Sequence, residues 1–184
     1  MTLAGWIEVI AGSMFSGKTE ELIRRLKRAQ IAKQRVQIFK PKLDNRFSAD
    51  EVMSHSSLRI QAQIIEHPEQ ILTLLADNTR VIGIDEAQFF HPSLVSVAQR
   101  LADRGLRVVI AGLDLDSMGK PFGAMPELMA IAEHVSKMNA ICTSCGGIAS
   151  RSQRKKTAPD QSSQILVGAE DHYEARCRRC FEPN

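Results

Sequence analysis

Three groups of residues in this 184-residue chain have types and spacings suited to chemistry. The first is Gly12-Ser13-Met14-Phe15-Ser16-Gly17-Lys18-Thr19, which fits G-x-x-x-x-G-K-[ST] at every position. Its glycines let successive backbone N–H groups turn inward around phosphate oxygens, and the helix expected to follow adds its N-terminal dipole. In such a loop Lys18 reaches the β- and γ-phosphates and Thr19 offers its hydroxyl to Mg²⁺. Residues Gly12 through Thr19 are therefore candidate ligands for ATP with Mg²⁺. A glycine turn that binds nothing is the bland alternative, weakened by the strand pattern before it and the helical pattern after it. The motif is silent about what accepts the phosphoryl group.

The second group is Asp85-Glu86, placed where an apolar run ends. Open parallel sheets bind their ligands outside such strand ends. Adjacent side chains diverge where a strand becomes a loop, so one carboxylate can serve the metal while the other faces the acceptor. Asp85 suits Mg²⁺, directly or through water, and Glu86 suits a general base that takes a proton from a hydroxyl or from water. A solvated acidic pair is the alternative, and the pair alone does not separate a kinase from an ATPase. The third group is Cys142-x-x-Cys145 and Cys177-x-x-Cys180, with 31 residues between them. Four thiolates close a tetrahedral structural zinc site. Two redox pairs, or four unrelated core cysteines, are the other readings. Zinc would pin both ends of a long loop beside the nucleotide, an arrangement that suits a lid.

The elements that must hold these groups follow from periodicity. Trp6 to Ala11 reads as a strand, and Thr19 opens a helix with Leu22, Ile23, Leu26 and Ala29 on one face. Val36 to Phe39 is a second strand, and Pro41 to about Gln61 reads as a loop region on the substrate side. Pro68 starts a helix with Ile71, Leu72, Leu74 and Leu75 on its buried side. Val81, Ile82 and Ile84 form a strand that stops at Asp85. A helix carrying Leu94, Val97, Ala98 and Leu101 ends at Gly105, and Leu106 to Ala111 is a further strand. Pro126 begins a helix with Leu128, Ile131, Ala132 and Val135 inward. Unalternating apolar strands separated by helices predict an α/β fold: a P-loop-type parallel sheet with helices on both faces. Beyond Asn139 the composition changes, so the chain divides into a nucleotide-binding part, 1–138, and a cysteine module, 139–184. Within the latter, Ser150 to Gln164 reads as a long mobile loop between two short hairpins.

Composition narrows the function classes. Apolar residues make up 43% and charged residues 24%, as in ordinary soluble proteins. No apolar run approaches the roughly 20 residues that span a bilayer. Glu8 and the glycine loop break any leader-like start, so a cytoplasmic location is expected. The net charge of +3 and 5% aromatic content argue against a nucleic-acid partner. The basic runs Arg24, Arg25, Lys27, Arg28 and Arg151, Arg154, Lys155, Lys156 read as solvated faces.

Taken together, five stretches resemble the cytosolic-type (type II) thymidine kinases. They are the 12–19 loop, Ile84-Asp85-Glu86-Ala87-Gln88-Phe89-Phe90, Gly112-Leu113-Asp114, Lys120-Pro121-Phe122-Gly123, and the module ending Tyr173-x-x-x-Cys177-x-x-Cys180. The match runs in order over nearly the whole chain. The resemblance implies ATP-dependent phosphorylation of the thymidine 5′-hydroxyl, a homotetramer, structural zinc and feedback inhibition by thymidine triphosphate. It implies that Glu86 is the general base and that Asp85 and Gln88 lie beside the phosphates. It further implies that Met14, Phe89, Leu113 and Phe122 wall the thymine, that Asp44 and Arg46 lie near the 5′ end, and that Val167, Gly168 and Tyr173 belong to a lasso holding the edges of the base. Main-chain groups in such a lasso could pair thymine's acceptor, donor and acceptor edge. A base with a different edge would leave a buried group unpaired, at a cost of roughly 1–3 kcal/mol. Two positions depart from the family pattern: Ser117, where relatives often carry Phe, and Ser56, where an acidic or amide residue is frequent. The main rival is an ATPase whose zinc ribbon binds nucleic acid through the second basic run. A zinc-stabilised nucleotide sensor without turnover is a third reading.

Overall fold

The computed structural model describes residues 4–42, 51–53, 59–155 and 172–183. Its centre is a six-stranded sheet in the order β5-β2-β6-β7-β1-β8. These strands are β1 (Trp6–Gly12), β2 (Arg35–Pro41), β5 (Gln63–Ile65), β6 (Thr79–Ile84), β7 (Arg107–Gly112) and β8 (His134–Met138). Every pairing within it is parallel. Parallel strands need crossovers that cover the sheet, and the near-continuous apolar runs of β1, β6 and β7 are the sequence side of that requirement.

Helix α1 (Lys18–Ile31) covers one face. Leu22, Ile23, Leu26 and Ala29 pack there with Ile10, Ile38, Val81 and Val109. Glu20 and Glu21 in its first turn and Arg28 in its last complement the helix dipole. The opposite face is covered by α2 (Gln70–Leu74), α3 (Leu94–Asp103) and α4 (Met125–Ile131). Ile71, Leu94, Val97, Leu101, Met125 and Leu128 meet Phe39, Ile82, Ile84, Val108 and Ile110. The expected doubly covered α/β sheet is therefore the observed one.

Several boundaries differ from expectation. The helix expected at Pro68 starts at Gln70, and Leu74 faces solvent rather than the core. The helix from Pro126 stops at Ile131, and Val135 belongs instead to edge strand β8, where it is exposed. The region between Pro41 and Gln61 contains a short antiparallel pair, β3 (Glu51–Met53) with β4 (Arg59–Gln61). Arg25 does not lie on a solvated face. It reaches inward to the buried Glu8 at 2.9 Å.

The cysteine module has two small hairpins, β9 (Ala140–Ile141) with β10 (Ile148–Ala149) and β11 (Arg151–Arg154) with β12 (Tyr173–Arg176). The first four residues after Ser150 are thus strand, where a loop was expected. The strand forms because Ser152 and Gln153 are buried and Arg151 stacks over Phe181. Ala140, Cys142, Ala149 and Ala175 form its own small core.

Candidate active site

The phosphate loop leaves β1 at Gly12 and becomes α1 at Lys18. Gly17 takes φ 82°, a left-handed turn natural to a residue without Cβ, and this delivers the chain into the helix. Lys18 Nζ donates to the carbonyl of Ser13 at 2.8 Å, so the side chain folds back over the loop. Burial pushes the Lys18 ammonium pKa down, opposed by Glu86, Asp85 and Asp114, whose charges favour the cation. The buried Ser16 hydroxyl has no hydrogen-bond partner among the described residues.

Asp85 follows β6 directly. Although β7 separates β6 from β1, both strands end at the same edge of the sheet. That shared edge lets the Thr19 hydroxyl donate to Asp85 Oδ2 at 3.4 Å, while Asp85 Oδ1 accepts the Glu86 N–H at 3.0 Å. Burial first, and then the Glu86 carboxylate, push Asp85 up to about 7. A divalent cation would reverse that balance, because it favours the ionised form. The donor set (a threonine hydroxyl, a buried carboxylate, a lysine and an orphaned serine hydroxyl in a glycine loop) fits a triphosphate with a hard cation.

Glu86 has φ 53° and ψ 39° and opens a short 3₁₀ turn, Ala87–Phe89. Gln88 is buried within that turn. Its Nε2 donates to Glu86 Oε2 at 2.6 Å, and its Oε1 accepts the backbone N–H of Leu113 at 2.9 Å. Gln88 thus contacts Glu86 and the end of β7, a connection that the sequence pattern did not reveal. The next residue, Phe89, meets Phe122 edge-on with ring centroids 5.5 Å apart. Phe122 is presented by a tight loop after β7, in which its N–H donates to the Asp114 carbonyl and Asp116 Oδ1 accepts the N–H groups of Met118 and Lys120. Ser117, the departure from the family pattern, sits half-buried at the apex of this loop. Asp114 is buried and pairs with Lys137 of β8 at 3.0 Å.

The cysteine module touches the phosphate loop directly. The N–H of Met14 donates to Ser152 Oγ at 2.9 Å, and the Ser13 hydroxyl donates to the carbonyl of Ala149 at 3.5 Å. Ser152 gave no signal in the sequence, being one hydroxyl residue in a polar run. Tyr173 is buried on β12, paired with Arg154. Asp44, Arg46, Ser56, Val167 and Gly168 lie outside the described residues.

Cys142, Cys145, Cys177 and Cys180 offer four sulfurs that all lie within 4.8 Å of one another. The Cys145 and Cys177 sulfurs are 3.7 Å apart. A tetrahedron with Zn–S of about 2.3 Å has S···S edges of about 3.8 Å, so the cluster is compatible with a structural zinc. Backbone N–H groups, that of Cys177 first, lower the Cys142 thiol to about 6, and that of Cys180 lowers Cys177. Neighbouring sulfurs push Cys180 the other way. Crowded thiolates of this kind are what a cation relieves.

A family model described as Thymidine kinase matches residues 5–181. A protein named thymidine kinase from Rhodothermus sp. (strain ITI 518) is 56% identical over 179 residues, covering 97% of this chain and 82% of the relative. Another of that name, from Bdellovibrio bacteriovorus (strain ATCC 15356 / DSM 50701 / NCIMB 9529 / HD100), is also 56% identical over 179 residues, covering 97% of this chain and 86% of the relative.

Proposed function

The chain belongs to the thymidine kinase family, and from that premise we propose that it transfers the γ-phosphoryl group of ATP to the 5′-hydroxyl of thymidine, with Glu86 as general base. The observation that carries this reading is the Asp85-Glu86 step. One carboxylate turns toward Thr19 of the phosphate loop, and the other turns away from it in a left-handed conformation to meet Gln88. An ATPase or kinase needs the first; the second suits an acceptor that binds beside the phosphates.

In this reading residues 12–19 cradle the triphosphate, Lys18 neutralises it, and Thr19 and Asp85 would hold Mg²⁺. The metal supplies charge neutralisation on the phosphates. Met14, Leu113, Phe89 and Phe122 form the apolar walls for the base. Glu86 accepts the 5′-hydroxyl proton as the oxygen attacks phosphorus. Residues 1–138 would be the catalytic part and 139–184 a zinc-pinned part carrying Tyr173 toward the nucleoside. No helix among the described residues is long and apolar enough to cross a membrane. A homotetramer inhibited by thymidine triphosphate extends the same family reading.

The test is phosphate transfer from ATP to a panel of nucleosides, with hydrolysis measured in parallel with and without DNA. Formation of thymidine monophosphate, with little hydrolysis when thymidine is absent, supports the proposal. Hydrolysis stimulated by DNA with no phosphorylated nucleoside refutes it.

A further inference from the structure

Glu86 would be poorly determined without help. It lies beyond the last residue of β6, it is only half-buried, and its left-handed backbone is costly for a residue with a Cβ. Its carboxylate oxygen Oε2 is nevertheless held at 2.6 Å by Gln88 Nε2. Gln88 is 3% exposed, and the other end of its amide accepts the N–H of Leu113 at 2.9 Å. The amide is therefore a rigid spacer between the proposed base and the backbone of a proposed thymine wall.

Two glycines leave room for this spacer. A Cβ at Gly112 would come within 2.9 Å of Gln88 Oε1 and 2.5 Å of Met125 Sδ. One at Gly123 would come within 2.3 Å of the Gln88 carbonyl. Gln88 thus fits because Gly112 faces its side-chain amide, and Gly123 its backbone, without a Cβ.

We propose that Gln88 is a positioning residue for Glu86, and that it sets the base at a fixed distance from the Leu113 wall rather than binding the phosphates. The inference rests on the reading of Glu86 as base. Its chemical logic is orientation: one carboxylate oxygen is tied to the amide, which leaves the other to take the proton of the acceptor hydroxyl. Loose positioning of a base is costly, because a displacement of about 1 Å can lower turnover about 100-fold.

The test uses Gln88→Met, which removes both hydrogen bonds at similar volume, and Gln88→Glu, which keeps an acceptor for Leu113 but sets a carboxylate against Glu86. Each is made in the parent chain and in Glu86→Gln. We expect each change alone to lower kcat about 10- to 100-fold with the KM for ATP unchanged, and to lower kcat no further once Glu86 is glutamine. A further multiplicative loss in the Glu86→Gln background would overturn the proposal, as would a loss confined to the KM for ATP, since either puts Gln88 on the nucleotide. Wild-type turnover in Glu86→Gln alone would remove the base itself, and the proposal with it. Direct titration with ATP verifies that each variant is folded, and Gln88→Glu supplies the measurement if Gln88→Met does not fold.

Discussion

Asp85 and Glu86 are neighbours in the chain, yet the structure gives them opposite surroundings. Asp85 is buried, with Thr19 and the Glu86 N–H on its oxygens, and it is pushed up to about 7, chiefly by burial. A carboxyl raised in the folded state contributes nothing unfavourable below its ordinary value of 3.8, and costs stability as the pH rises through about 7. Without Mg²⁺ and nucleotide, Asp85→Asn should therefore melt above the parent at pH 8 and close to it near pH 4, while losing turnover. Thermal melts at the two pH values decide this; an equal gap at both would mean that ionisation is not the cause. The aromatic pair is a second residue-scale case. An edge-on Phe pair contributes about 0.5–1.5 kcal/mol beyond its buried area. Phe122→Ala should raise the KM for thymidine roughly tenfold and leave that for ATP alone. A matched rise in both constants would argue that Phe122 shapes the whole edge of the sheet instead of the base pocket.

At the scale of elements, the cysteine module joins the phosphate loop to any metal held by the four sulfurs. Cys177 follows β12, β12 pairs with β11, and Ser152 on β11 accepts the N–H of Met14 at 2.9 Å. The contact lies at the mouth of the loop, before Ser16 to Thr19, so its loss should fall on the nucleoside side. Ser152→Ala leaves a part-buried N–H unpaired, at a cost of about 1–3 kcal/mol. Ser152→Ala and Cys177→Ser should both raise the KM for thymidine more than the KM for ATP, with Cys177→Ser the more severe. Steady-state kinetics and zinc content measured on the same preparations test the route; a zinc-free Cys177→Ser with unchanged thymidine KM would cut it. The cysteine pairs placed a pinned loop beside the nucleotide, but the Ser152 contact that makes the link was not legible in the sequence. The 12–19 loop, α1 and the end of β6 were, because each is specified by local spacing. Strand β8 was not: His134–Met138 has one paired neighbour, alternates weakly and follows α4 without a glycine. Its apolar Val135 therefore fitted the preceding helical period. Strand β5 was missed for the same reason, being three residues at the other edge.

Across the whole molecule, the least legible feature is Glu8, which in the sequence only interrupts an apolar start. In the fold it is buried at the centre of β1 and ties three elements together. Trp6 Nε1 donates to it at 2.7 Å, Arg25 of α1 at 2.9 Å and Arg107 of β7 at 2.7 Å. Arg25 continues to the Ser136 hydroxyl on β8, and Arg107 stacks 5.8 Å from the Trp6 ring. Periodicity cannot find such a cluster, since its members are distant in sequence and meet only when β1 is inserted between β7 and β8. Burial pushes the Glu8 carboxyl up, but the hydrogen bonds from Arg107, Trp6 and Arg25 outweigh it and leave the pKa below the ordinary 4.5. The sign follows: a depressed carboxylate contributes stability that is full above 4.5 and is lost as the pH falls through its folded value. Removing the charge by Glu8→Gln leaves Arg107 without its carboxylate and Arg25 with Glu21 alone, and breaking a buried pair costs about 3–5 kcal/mol. Glu8→Gln should therefore melt well below the parent at pH 7, and the gap should narrow as the pH falls below 4.5. Glu21, itself held at about 2 by Arg24 with help from Arg25, is common to both chains. The difference between the two melting curves isolates Glu8. A constant gap from pH 7 to pH 3 would assign the loss to packing and hydrogen-bond geometry, and would leave the charge of Glu8 without a part in holding β1, α1 and β7 together.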